Sequence, residues 1–167
     1  MAYATAVDLI EANGLQEFYE LLSDEEGLIT MQLVSDAVAG SPLDSYTAEQ
    51  IAAVTAASQR ADNVLERQSS IMNGALAARY ALPLSAEAET ANGALQECCI
   101  ALTRAALADD GDNLATRMEK ERDYWRAWLK ALRDGTERLV GVEPISAGGT
   151  SQRLTSPAPS AVDWNTY

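Results

Sequence analysis

The chain of 167 residues has no histidine, two cysteines, one phenylalanine and only 12 basic residues against 25 acidic ones. Each shortage removes a class of chemistry. Without histidine the commonest general base and the usual nucleophile–base triads are absent. Zinc centres and di-metal bundles built on Glu-x-x-His motifs lose their ligands in the same way. Cys98 and Cys99 are adjacent, and helical neighbours point about 100° apart, a poor geometry for a disulfide. They read as small hydrophobes at a core-facing position. No run approaches the ~20 apolar residues of a membrane span, and no charged-then-apolar leader is recognisable. A soluble protein made in a cytoplasm, with no membrane partner, is expected.

Phosphate-binding glycine loops are missing as well. Carboxylate pairs such as Glu87 with Glu89 and Asp109 with Asp110 fall at helix starts and loop turns, and the helix dipole accounts for the Glu residues near a helix N-terminus. The acidic turn Ser23-Asp24-Glu25-Glu26-Gly27 lacks the alternating ligands and distant bidentate Glu of a calcium loop. The sequence therefore predicts no enzyme, no cofactor and no metal site.

What is abundant is Ala, Leu, Glu and Gln in long stretches free of Gly and Pro, which favours helix throughout. Thr5 and Asp8 form a capping-box pair ahead of a first short helix, stopped by Asn13-Gly14. A second short helix carries Leu15, Phe18, Tyr19 and Leu22; a third carries Ile29, Leu33, Val34 and Val38. From Thr47 towards Arg79, Ile51, Val54, Ala61, Leu65, Met72 and Leu76 return as one stripe of a long helix. At about 1.5 Å per residue such a helix is expected to overshoot its own core. Gly74 within it marks a bend or a close backbone approach. Beyond Leu82-Pro83-Leu84 a helix over 85–107 turns Leu95, Cys98, Leu102 and Ala106 inward. The last helix, over 113–138, has Leu114, Met118, Trp125, Trp128, Leu129 and Leu132 on its apolar side. Arg117 with Glu121, and Asp134 with Arg138, are spaced for i,i+4 pairing on its other side. The fold class is all-α, a small bundle of about five helices with one long helix. Residues 1–140 form the helical domain, and 141–167 an extended tail rich in Gly, Ser and Pro. The tail nevertheless carries Leu154, Trp164 and Tyr167, the kind of side chains that dock on a partner.

Charge is distributed unevenly. Ten carboxylates precede the first basic residue, Arg60, and eight of the 12 cations lie between Arg104 and Arg138. The acidic first third repels nucleic-acid phosphate. An acidic front and a more basic back suit head-to-tail contact between copies.

Two stretches carry a resemblance. The opening Tyr3-Ala4-Thr5-x-x-Asp8-Leu9-Ile10 and the segment Ala75-Leu76-Ala77-Ala78-Arg79-Tyr80-Ala81-Leu82-Pro83-Leu84 resemble a small family encoded among the head genes of Mu-like phages and prophages, the head–tail adaptors or connectors. Trp128-Leu129, Leu132-Arg133-Asp134 and Gly135 follow in similar order, so that residues 2–140 are covered. Between Gly40 and Gly74 the chain is longer than the family's pattern, and the tail beyond Gly141 lies outside its usual end.

The resemblance implies an all-helical virion protein at the neck of the particle, present in the host cytoplasm during assembly. Its expected partners are the portal, copies of itself in a twelve-fold ring, and the next neck or tail-completion protein, with DNA passing through unbound. Asp24, Glu25, Glu26 and Asp36 are the candidates for an acidic channel wall that DNA does not stick to. Leu154, Trp164 and Tyr167 are the candidates for partner docking. The rival reading is an acidic helical DNA mimic that blocks a host nucleic-acid enzyme. That reading asks for phosphate-like carboxylates over the whole surface.

Overall fold

Thr5 opens the first helix as the capping box predicts. Its hydroxyl accepts the Asp8 N–H, and the Asp8 carboxylate accepts the Thr5 N–H at 2.7 Å. In the computed structural model, which describes residues 2–23, 26–108 and 116–145, α1 spans Ala6–Asn13 and α2 Leu15–Leu22. Gly14, at φ +88°, turns the chain between them. Then come α3 (Met31–Val38), capped by Thr30, and α4 (Ala48–Leu76), capped by a Thr47–Gln50 box. The final three are α5 (Ala86–Ala91), α6 (Ala94–Leu107) and α7 (Thr116–Asp134). The described residues contain no strand, so the all-α expectation holds.

Among the described residues seven helices replace the expected five or so, and one of the added breaks has an identifiable cause. The helix expected over 85–107 is broken at Asn92-Gly93. Asn92 is buried, and its amide spans two segments: Nδ2 donates to Val140 O at 3.1 Å and Oδ1 accepts the Val140 N–H at 2.7 Å. Satisfying that side chain takes precedence over continuing the helix.

The long helix behaves differently from expectation too. It does not overshoot the core. Val54, Ala57, Ala61, Leu65, Ser69, Met72 and Leu76 are buried along almost its whole length. That stripe is about 33 Å long at the helical rise, and α1, α2, α3, α6 and α7 all pack on α4. Gly74 is exposed and continues the helix, and a Cβ there would meet nothing within 4 Å. Neither a bend nor a close approach is its purpose.

The molecule is thus layered. α4 and α6 form the middle, α1 to α3 cover one side, and α7 packs on α4 and α6 from another. α6 lies between neighbours, and Leu95, every residue from Cys98 to Thr103, and Ala105 are buried. Both cysteines are therefore inside, not one. Desolvation, with a smaller effect of Cys99, pushes the Cys98 thiol up to about 12, far from the thiolate range that makes a cysteine reactive.

Candidate functional site

The two stretches that carry the family resemblance have structural tasks. Tyr3 fastens the N-terminus to the spine. Its N–H donates to Ser69 Oγ at 3.1 Å and its hydroxyl to Asn73 Oδ1 at 2.6 Å. Partial burial, and then the nearby Glu89 and Cys99, raise its hydroxyl to about 12, so it remains a donor. The Arg79-Tyr80 pair holds the other end of the chain. Tyr80 is fully buried, and its hydroxyl accepts the Leu139 N–H at 3.1 Å. The Arg79 carbonyl accepts the Ile145 N–H at 2.6 Å. The Leu82–Pro83 peptide between this pair and α5 is cis. Residues 139–145 are therefore bound to the domain by Tyr80, Arg79 and Asn92.

Gly135 explains how Arg79 fits. It sits at φ +82°, and a Cβ on it would fall on the Arg79 guanidinium. Gly135→Ala is expected to cost about 1–2 kcal/mol, chiefly for forcing a side chain into the left-handed region. Urea unfolding of G135A with and without Arg79→Ala separates the two causes. The flexible Arg79 tip moves aside cheaply, so most of the loss should persist in the double variant.

The sequence candidates fall in different places. Asp24, Glu25, Leu154, Trp164 and Tyr167 lie outside the described residues. Glu26 is exposed in a turn. Asp36 is half-buried and already engaged: the Tyr46 hydroxyl donates to it at 2.6 Å and Gln32 Nε2 at 2.9 Å. That bond also raises the Tyr46 hydroxyl. Asp36 thus ties the loop after α3 to that helix.

The expected i,i+4 ion pairs are replaced. Glu121 reaches Arg104 on α6 at 3.0 Å instead of Arg117, and Asp134 meets its neighbour Arg133 at 3.1 Å instead of Arg138. The tertiary partner wins at Glu121 because the same guanidinium also binds Glu17 of α2 at 2.6 Å. An Arg104 fork serving two carboxylates from two helices offers more than an exposed same-helix pair.

Sequence reasoning missed two arginine-lined clefts. One, of about 590 Å³, is lined by Arg79, Arg133 and Arg138 with Glu143, Pro144 and Ile145. The other, of about 220 Å³, lies where α4, α6 and α7 meet. Its apolar lining is Val64, Ile71, Leu102, Ala105 and Ala106, and its polar rim includes Arg67, Arg122 and Arg126. Arg122 contacts Asp123 at 3.2 Å; among the described residues Arg67 and Arg126 have no ion-pair partner. The available signal was the Arg67–Ile71 spacing on the otherwise polar side of α4. Six of the chain's 12 cations border these two clefts, whereas Glu11, Glu20, Asp44 and Glu49 are exposed on α1, α2, the loop before α4 and its first turn. No described helix is long and apolar enough to cross a membrane.

A search of curated proteins finds no match. The family model described as "Bacteriophage Mu, Gp36" matches residues 3–152. The match runs past Gly141, so the first part of the tail falls within the family after all. It covers both the Tyr3-Ala4-Thr5 opening and the Arg79-Tyr80 segment whose fastening roles are described above. The chain belongs to the bacteriophage Mu Gp36 family and is a Mu-like phage protein.

Proposed function

We propose that the protein is a structural virion component, a head–tail adaptor that assembles as a ring beneath the portal and connects the capsid to the tail. The observation that carries this reading is the family match across residues 3–152. The uneven charge supports it. A ring subunit needs two unlike faces to meet its neighbours, and this chain has an acidic α1–α3 side and arginine-lined clefts elsewhere. A DNA channel needs a wall that does not retain phosphate, and Glu26 with its neighbours Asp24 and Glu25 would provide part of it. The protein acts without catalysis, cofactor or metal. Its place is the virion neck, reached from the host cytoplasm during assembly. A DNA mimic would carry carboxylates on every side, and Arg67, Arg79, Arg126, Arg133 and Arg138 contradict that pattern.

Electron microscopy of the full chain mixed with its own phage's portal tests the reading. A ring of added density on one end of the portal is expected. A bare portal at high concentrations of both proteins would remove the adaptor role. In the same experiment, a chain ending at Ile145 should assemble less completely, because Leu154, Trp164 and Tyr167 are the proposed docking residues for the portal or a neighbour. Equal occupancy would reject that part.

A further inference from the structure

Six large hydrophobic side chains are exposed among the described residues: Val7, Met31, Ile71, Tyr124, Val140 and Ile145. Three of them share a helix face with a charge that has no partner among the described residues: Val7 with the acidic Glu11, and Ile71 and Tyr124 with the basic Arg67 and Lys120, of which Ile71 and Arg67 line the cleft between α4, α6 and α7. Val7 on α1 is 48% exposed, with the exposed Glu11 one turn on. Ile71 on α4 is 52% exposed, with the exposed Arg67 one turn before it. Neither Glu11 nor Arg67 has a hydrogen-bond or ion-pair partner among the described residues. Met31 lacks this arrangement, since the residues one turn away are Gly27, Leu28, Val34 and Ser35.

The Val7 and Ile71 patches lie on different sides of the molecule. Ser69, which receives the Tyr3 N–H and so marks the side of α4 where the N-terminus and α1 attach, lies two residues from both Arg67 and Ile71. Two residues correspond to about 160° round a helix, nearly the opposite side. One copy therefore cannot satisfy its own patches, whereas two copies can satisfy one of each.

We infer that the cleft between α4, α6 and α7, with Ile71 in its apolar lining and Arg67, Arg122 and Arg126 on its rim, receives the Val7–Glu11 face of α1 from a second copy of this chain. Val7 enters the apolar floor and Glu11 meets the arginine rim. The match is one of small apolar centre to small apolar centre, with opposite charge around each. An interface made from two different patches is heterologous and propagates, closing into a ring where the rotation allows it. This rests on the adaptor reading for its biological setting but not for its chemistry.

Charge reversal tests it. Glu11→Arg and Arg67→Glu both change exposed side chains, and unchanged thermal unfolding will show that each variant folds. Sedimentation velocity of the full chain, with cross-linked copies counted on the portal, reads the association. Each single reversal should weaken association by roughly ten-fold or more, and the double reversal E11R/R67E should recover most of it, as for a directly coupled charge pair. Raising salt to about 1 M should weaken the wild type, because screening acts on a rim that is open to solvent. Singles that associate like the wild type, or a double variant as weak as the two losses combined, would overturn the interface. So would a wild type that makes no contact between copies in solution or on the portal. An R67E protein that self-associates normally but no longer binds portal would place the portal in this cleft instead. Charge-dependent self-association with a bare portal would leave the interface standing and remove the adaptor role, so the two failures are distinguishable.

Discussion

Replacing Tyr80 with alanine is expected to lower the melting temperature by roughly 10–20 °C, from a loss of about 3–5 kcal/mol. Tyr80 is 1% exposed and the largest of the fully buried side chains. Removing its ring leaves a cavity amid packed neighbours that close only partly. A second cost accompanies it. The buried Leu139 N–H loses the phenolic oxygen 3.1 Å away, and an orphaned donor costs about 1–3 kcal/mol. Tyr80→Phe isolates that part: it keeps the ring, loses the acceptor, and should cost about 1–3 kcal/mol, less than the alanine. Thermal and urea unfolding of both variants check the ratio. Equal losses in Y80A and Y80F would show that the ring is not packed as described. Hydrogen exchange adds a local readout, since the Leu139, Val140 and Ile145 amides should exchange faster in Y80A than amides of α4. Given a total stability of about 5–15 kcal/mol for a domain, this one side chain supplies a large share of it.

The second large effect is expected at Arg104. Its side chain is 11% exposed, Nε and the terminal nitrogens bind Glu17 and Glu121, and the three residues join α2, α6 and α7. Arg104→Ala leaves two carboxylates facing a vacated, mostly enclosed space. Breaking a fully buried pair costs about 3–5 kcal/mol. Here the carboxylates are 28% and 36% exposed and can partly rehydrate, so about 2–3 kcal/mol is expected. Arg104→Lys keeps the charge but cannot divide a planar fork between two acceptors, and should lie between wild type and alanine. The combination R104M/E17Q/E121Q removes the stranded charges and should regain part of the loss. Urea unfolding of this set is the measurement. If the triple variant is no more stable than R104M alone, the carboxylates contribute nothing beyond their contacts with solvent.

Helices with their own signals were legible in the residues. The Thr5–Asp8 box, the Thr47–Gln50 box and the single stripe from Val54 to Leu76 act within one turn or along one face, so spacing alone specifies them. Where a side chain had to choose among partners, spacing was not enough. Glu121 has Arg117 one turn away in sequence yet binds Arg104, because α6 brings a nearly buried guanidinium within 3.0 Å. Asn92 ends α5 for the sake of Val140, 48 residues later.

The candidate site shows the same division. Arg67, Arg122 and Arg126 are distributed over two helices and become one rim only when α7 packs beside α4. The hydrogen bond from the Tyr46 hydroxyl to Asp36 joins residues ten positions apart and had no signal in their spacing. By itself the sequence determined the helical class, the capped helix starts, the acidic first third and the family, because composition and short-range periodicity act locally. Only the tertiary structure decided that α6 is buried on most of its surface, that α4 is a spine and not an overhang, and that Val7–Glu11 and Arg67–Ile71 lie on different sides. Those outcomes depend on which faces meet, and desolvation and packing between residues distant in sequence settle that when the chain closes.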